Sequence, residues 1–465
     1  MTLLRKLIDR VFPRGALILS VLSLGYFAMG VIRNKALAST FGAGPELDAY
    51  NAAFKIPEIA LDVLVAAGLT APFVPIFNGL RRRDEAAAHE FARTVLTVAV
   101  LVMSVVILGL FLVAPATVEI VAPSFDAATR ALYVDLFRLM CVTPVLFAAS
   151  IAIGEVLVAH QRFLFYALAP ILYTAGIVVG TVVFGQRYGI HATALGAVGG
   201  AVAHLAIRMI GLLRTPFRIR PRVAIRTPAF REFARLMLPR MISHPIDPLM
   251  LTYFTNLAAS IGVGAVTSFN FASDYQVVPV SLIGVSFSLA VFPTLAAAWA
   301  AGDAATFRRI LGRNLVTIGG LTVLAAIALA IVAHPLVAVL LGGGAFGPED
   351  VDRTATVLTA YALSVPLDSL SYPLSRALYA THNTVLQVVA SLAGFATILV
   401  VGSTLAGPVG IVAIPLAAAA GGAVKVGLLV LFLIPRLRRI AIDGPALVAA
   451  EAATGDRSDP AGPRR

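Results

Sequence analysis

Lys55, Glu58 and Asp62 fall at i, i+3 and i+7 of one apolar stretch, so on an α-helix they share a face. Each such charge inside a bilayer costs about 2.5–3.5 kcal/mol on insertion scales, so a charged face turns away from lipid. It lines a wet cavity or pairs internally, and the spacing leaves both open. Asp274 and Asp368 lie deep in other apolar runs without an adjacent cation, and Asp247 is a further acid of the second half. Buried carboxylates of this kind pair with cations from another helix or move protons or sodium ions. Arg33, Lys35, Arg376 and Lys425 stand near the ends of their runs, where long cationic side chains reach the interface. Arg138 and Glu155 are further charges within the runs. Cys141 is the single cysteine, and the seven histidines show no metal-ligand spacing. With no HExxH, CxxC, Walker or GxSxG pattern, neither a metal, a cofactor nor an enzymatic activity is expected. A transporter remains, driven by membrane potential, protons or sodium.

The elements that hold these residues follow from composition. Of 465 residues, 59% are hydrophobic and 13% charged; soluble proteins average about 25% charged. This implies an all-α polytopic membrane protein and excludes soluble enzymes and nucleic-acid-binding modules, despite the net charge of +12. A spanning helix needs about 20 apolar residues. About twelve runs qualify, at 15–38, 50–78, 92–114, 131–158, 163–184, 191–213, 232–258, 264–298, 313–333, 353–379, 384–404 and 408–434. Residues 1–14 are expected to form an interfacial amphipathic segment, with Leu4, Leu7, Ile8, Val11 and Phe12 on one face of 3–12. Ala36-Leu37-Ala38 looks like a signal-peptide cleavage site, but Arg33 and Lys35 stand where such a peptide is uncharged. A basic cytoplasmic linker at 214–231 joins two lobes of six spans, 15–213 and 232–434. A disordered tail is expected from 435 to 465. With the N-terminus cytoplasmic, only Arg33, Lys35, Arg130, Arg187 and Arg353 face outward, and the arginines from Arg208 to Arg240 all lie inside. That asymmetry predicts both termini in the cytoplasm.

The halves resemble each other. Pro144 precedes His160-Gln161 as Pro366 precedes His382-Asn383. FVPIFNGLRRRDEAAAHEFAR (73–93) likewise matches VFPTLAAAWAAGDAATFRR (291–309) in pattern. An even number of spans per repeat preserves orientation, so the lobes form a parallel pseudo-repeat suited to alternating access.

RNKALASTFGAGPELDAYNAAFKIPE (33–58), AAGLTAPFVPIF (66–77), QRFLFYALAP (161–170), GAVTSFNFASDYQVVPVSLIGV (264–285) and SRALYATHNT (375–384) together resemble the MurJ/MviN family of lipid II flippases. That family belongs to the multidrug/oligosaccharidyl-lipid/polysaccharide exporter superfamily, and the resemblance covers about residues 20–435. It implies a V-shaped bundle with a central cavity, exporting the undecaprenyl-pyrophosphate-linked peptidoglycan precursor across the bacterial cytoplasmic membrane. It also implies that Arg33 and Asp48 serve the substrate, joined by Lys55, Glu58 and Asp62. An arginine fork suits a diphosphate. The implied partners are lipid II, membrane lipids and cell-wall synthesis proteins, with no nucleic acid. Departures stand at Phe27, at Leu61 or Asp62, and at Asp274, where the family carries arginines. The family also often has fourteen spans. These departures keep two other functions open: export of another lipid-linked oligosaccharide or a small cationic compound, and a non-transporting membrane scaffold.

Overall fold

The computed structural model describes residues 14–243, 246–381 and 383–455; the expected interfacial helix at 3–12 lies outside them. The described chain is helical, and its only β-type pairing is the isolated bridge Gly343–Phe346. In chain order the helices are α1 (Arg14–Phe41), α2 (Pro45–Ala53), α3 (Lys55–Leu61), α4 (Ala67–Arg81), α5 (Glu85–Leu112), α6 (Ala114–Val121), α7 (Ala127–Met140) and α8 (Val142–Ala159). Next come α9 (Phe163–Val179), α10 (Gly185–Tyr188), α11 (Ile190–Leu213), α12 (Pro228–Ser243), α13 (Ile246–Ile261), α14 (Ala265–Pro279) and α15 (Ser286–Ala300). The last are α16 (Ala304–Leu340), α17 (Pro348–Tyr361), α18 (Ser364–Ala380), α19 (Val385–Val409) and α20 (Ala413–Gly455). Three π-helical turns, Asp62–Ala66, Gly180–Phe184 and Val280–Val285, are inserted between helices.

Seven continuous stretches are long and apolar enough to cross a bilayer: Glu85–Leu112, Ala127–Ala159, Phe163–Tyr188, Ile190–Leu213, Ala265–Ala300, Ala304–Leu340 and Val385–Arg438. The last merges two expected spans, which the backbone still separates by Gly410 at φ +58° and a 3₁₀ turn at Gly410–Val412. The described residues of the expected spans at 15–38, 50–78, 232–258 and 353–379 are largely helical as well. The chain is thus a multi-span helical membrane protein.

One expectation is corrected. No break occurs at Pro435; α20 continues to Gly455. The alanine-rich stretch after Arg439 favours helix, which outweighs the polar character that suggested disorder. Residues 456–465 lie outside the described part.

The chain forms two compact units. The first runs to Ser268 and takes in Val337–Val351; the second comprises Phe269–Leu336 and the chain from Asp352. In the first unit α9 packs along α11 and α1, α8 along α11 and α5, and α2 on α7. The α9–α11 contact rests on two facing GxxxG patterns, Gly176/Gly180 and Gly196/Gly200. A Cβ on Gly176 would stand 2.5 Å from the Gly200 Cα, and one on Gly200 would stand 2.3 Å from the Tyr173 carbonyl oxygen. Membrane helices associate through such small-residue surfaces because lipid supplies no hydrophobic drive. In the second unit α19 packs on α20, and α18 lies against α15 and α20. Leu295, Phe307, Leu374, Leu378, Leu429 and Leu433 form its buried cluster, with Trp299 against it.

The repeat shows in backbone detail within each unit. Asp84 caps α5 by accepting from the Ala86 and Ala87 amides, and Asp303 caps α16 by accepting from the Thr306 amide. Both aspartates belong to the matched turns of the repeat. The Arg162 amide donates to the Leu157 carbonyl, and the Asn383 amide donates to the Leu378 carbonyl. Each bond closes a Schellman-type turn, and Gln161 supplies the left-handed residue of the first at φ +57°. His382, which precedes Asn383, lies outside the described residues.

Candidate functional site

Arg33 sits on α1, half-buried, with Nε and Nη2 donating to the Asn34 Oδ1 at 3.0 and 2.8 Å. Asn34 is buried. Tyr173 on α9 is within electrostatic reach of Tyr50, Glu58, Arg33 and Tyr26. Two sequence-predicted residues, Arg33 and Glu58, are thus within electrostatic range of one half-buried phenol.

Lys55 and Glu58 belong to α3. Pro57 has no amide proton to donate to the Ala53 carbonyl, and the helix steps at Phe54 between α2 and α3. Glu58 is exposed, while Lys55 and Asp62 are half-buried. Asp62 opens the first π turn. π insertions in α-helices frequently mark functional positions.

Asp48 is buried at 2% exposure. One carboxylate oxygen accepts from the Gly264 amide at 2.6 Å; the other accepts from the Thr267 amide at 2.8 Å and the Thr267 hydroxyl at 2.6 Å. These donors sit at the N-terminus of α14, whose first-turn amides lack intrahelical acceptors and favour an anion. Asp48 thus clasps the start of α14. A small cavity of about 140 Å³ beside it is lined by Asp126, Thr129 and Val263 among others.

A second clasp adjoins it. Lys35 donates to the Gly342 carbonyl, the Ala345 amide to the Ser39 carbonyl at 2.9 Å, and the Ala43 amide to Asp350 at 3.5 Å. The backbones meet because Gly42 and Gly344 both adopt positive φ and lack side chains. A Cβ on Gly42 would stand 2.5 Å from the Ala345 carbonyl oxygen, and one on Gly344 2.3 Å from that of Ser39. The sequence suggested a Lys35 that only reaches for the interface; it fastens this loop instead. The Gly342-Gly343-Gly344 run is the signal that pointed to it.

The acids of the second half are placed separately. Asp368 on α18 accepts from Gln276 Nε2 at 2.9 Å, and the same amide donates to Ser364 at 3.1 Å. Asp274 is exposed. Asp247 is exposed in the first turn of α13, where the helix dipole suits a carboxylate.

The sequence reading counted Arg208 among the cytoplasmic arginines and gave it no partner; the structure buries it. Arg208 is 4% exposed inside α11. Its Nη1 donates to the Ser150 carbonyl at 2.7 Å, and its guanidinium lies 4.8 Å from the Tyr166 ring centroid. Gly154 leaves room for it, since a Cβ there would stand 2.6 Å from Nη1. Glu155 and His204 are buried nearby, the latter 2.8 Å from the Ser150 hydroxyl. The missed signal was the position of Arg208 within an apolar run, one turn after His204. Among the described residues no group of His, Cys, Asp and Glu is arranged to hold a metal ion.

The chain matches the family model "Lipid II flippase MurJ" over residues 37–454. It is 25% identical over 377 residues to the probable lipid II flippase MurJ of Rickettsia prowazekii, covering 80% of this chain and 74% of that one. Against the lipid II flippase MurJ of Burkholderia cenocepacia it is 27% identical over 349 residues, covering 72% and 67%. A solved lipid II flippase MurJ in an inward closed conformation superposes with a TM-score of 0.77 at 19% identity, over 96% of this chain and 94% of that one. An inward-facing multidrug MATE transporter gives 0.72 at 13% identity, over 90% and 95%. At these identities the two structures speak for the fold alone. The family match spans nearly all of the helical core, and it includes Asp48, Lys55, Glu58 and the 264–267 clasp: this chain belongs to the MurJ lipid II flippase family.

Proposed function

We propose that this protein exports lipid II, the undecaprenyl-pyrophosphate-linked peptidoglycan precursor, across the bacterial cytoplasmic membrane by alternating access. The family match over residues 37–454 carries this reading. The substrate leaves chemically unaltered, so binding and movement are the whole task. Arg33 offers the pyrophosphate a fork whose orientation Asn34 fixes. Lys55 adds a second cation, and Glu58 and Asp62 balance the charge once the head group has left. The clasps at Asp48 and Lys35 hold the outer ends of the helices together while the substrate enters from the cytoplasmic side. Both termini are cytoplasmic, in keeping with the lysine and arginine asymmetry. Membrane potential, protons or sodium bias the cycle, with Asp368 the best-supported coupling acid because Gln276 and Ser364 gather polar groups around it. Asp247 and Asp274 are the other candidates. Membrane lipids and cell-wall synthesis proteins are the expected neighbours.

A second reading, export of another lipid-linked oligosaccharide or a small cationic compound, draws on the exposed Asp274 and Phe27 at positions where the resemblance implies arginine. Expression in a strain depleted of its own lipid II flippase separates the two. Rescue of growth by the wild type but not by Arg33→Ala supports precursor export. A well-inserted wild type that fails to rescue and instead confers resistance to cationic compounds supports the second reading.

A further inference from the structure

The stretch between α11 and α12 is fastened to the first unit as a strap. Phe217 is buried at 1% exposure. Its ring meets the His89 ring edge-on at 5.5 Å, and the Arg93 guanidinium lies 5.8 Å from its centroid. Arg93 Nε donates to the Arg218 carbonyl at 2.8 Å. Further on, the Arg222 amide donates to the Thr97 hydroxyl at 3.1 Å and the Ala224 amide to the Thr94 hydroxyl at 3.4 Å. In an extended chain the amides of residues two apart point the same way. Here both turn toward the third and fourth turns of α5, and Arg222 is paired to Glu90 at 2.6 Å. The backbone is used up in holding the strap down.

Its side chains divide into two groups. Arg222 is committed to Glu90. Arg214 lies 5.0 Å from the Phe165 ring centroid, and Arg218 folds onto the Thr215 and Phe217 carbonyls at 2.6 and 3.0 Å. Arg220 and Arg226 are exposed and make no hydrogen bond or ion pair with any described residue. Between and beside them stand three exposed aliphatic residues: Ile219, Val223 at 58% and Ile225. Exposed aliphatic side chains alternating with free guanidinium groups are unsuited to plain water. They match a surface with anionic groups above and hydrocarbon below.

The location agrees. The strap begins at the end of α11 and lies along residues 90–97 of α5, and both helices are apolar enough to cross a bilayer. A segment that leaves the end of α11 and crosses α5 where its long apolar run begins rests at the membrane surface. The arginine excess puts that surface on the cytoplasmic side, where anionic lipids attract basic segments.

We infer that this strap is a binding surface for anionic phospholipid head groups. Arg220 and Arg226 take the phosphate oxygens, and Ile219, Val223 and Ile225 seat among the upper acyl carbons. A held-down strap offers its guanidinium groups already ordered, so less side-chain and backbone freedom is lost on binding. This inference stands independently of which substrate the protein exports.

The test uses the full-length protein reconstituted in vesicles of phosphatidylcholine mixed with phosphatidylglycerol. After gentle extraction the co-purifying lipid is quantified by mass spectrometry. Wild type is expected to retain phosphatidylglycerol above its share in the vesicle. Arg220→Gln with Arg226→Gln should lower that enrichment severalfold, since each basic residue near an anionic surface is worth about fivefold. Arg220→Lys with Arg226→Lys should preserve it, because the positive charge is kept and the pinning contacts are untouched; this variant also checks folding. Inorganic phosphate at millimolar concentration should leave the enrichment unchanged. Undiminished enrichment in the Gln variant would overturn the inference, as would displacement of the lipid by free phosphate.

Discussion

The resemblance implies that Asp48 serves the substrate; in the structure its carboxylate accepts from the Gly264 and Thr267 amides and the Thr267 hydroxyl. Removing it leaves amides at a helix start without acceptors, and charged hydrogen bonds contribute about 1.5–3 kcal/mol. Asp48→Ala should therefore lower the thermal stability of the purified protein and abolish growth rescue, while Thr267→Ser, which keeps amide and hydroxyl, retains both. His160 gives a pH prediction. Burial first of all lowers its pKa from 6.5, the Val156 carbonyl opposes this, and Arg81 nearby adds to it, while Glu85 and Arg162 act in opposite senses. Its Nδ1–H donates to Val156 at 2.9 Å, and its Nε2 is buried without a partner. The folded state thus binds the proton less well than the unfolded state, so stability is full above about pH 6.5 and falls as pH drops below that value. Melting curves of wild type should show this fall, and His160→Gln should reduce it; an identical slope in the variant would refute the assignment. Residue types and spacing singled out Glu58 and Asp368, because a charge inside an apolar run is conspicuous, and the family resemblance singled out Arg33. They could not reveal Arg208 as buried, because its partners are the Ser150 carbonyl and the Tyr166 ring, which no spacing rule connects.

Elements were legible wherever hydropathy and length decide. The long apolar runs became helices, and the chain repeat reappeared in the paired caps at Asp84 and Asp303. Less legible were the steps inside helices. The π turns at Asp62–Ala66 and Val280–Val285 stand at matching places in the two halves, but one extra residue in a turn leaves no mark in composition. Helix-to-helix contacts were legible only in retrospect, through the two GxxxG patterns. Gly200→Leu should drive α9 and α11 apart. Overpacking typically costs about 1–3 kcal/mol, and the yield of monodisperse protein after extraction should fall, whereas Gly199→Leu, with open space at its Cβ position, should be tolerated. The Gly42–Gly344 contact makes a sharper prediction. Ser39→Cys with Ala345→Cys should form a disulfide under mild oxidation, since a backbone hydrogen bond already joins the two residues at 2.9 Å. Cross-linking should arrest growth rescue and reduction should restore it. Free activity of the cross-linked protein would show that this clasp never opens.

At the scale of the whole molecule, a flippase must release one end of its helical bundle while the other closes. The clasps at Asp48 and Lys35 are built from a few hydrogen bonds and side-chain-free backbone contacts, a kind of closure that opens without disturbing a packed core. In the proposed cycle Arg33 and Lys55 hold the head group. Family membership was legible in the sequence because the 33–58 stretch combines the tight Gly42–Gly44 turn, the Asp48 clasp and the Pro57 step, each with its own structural demand. The most direct measurement is growth of a strain depleted of its own lipid II flippase, carrying either the wild-type chain or Arg33→Ala at matched membrane levels. Growth with the wild type and none with Arg33→Ala is the predicted result. Equal growth with both would contradict the role of Arg33 in precursor export.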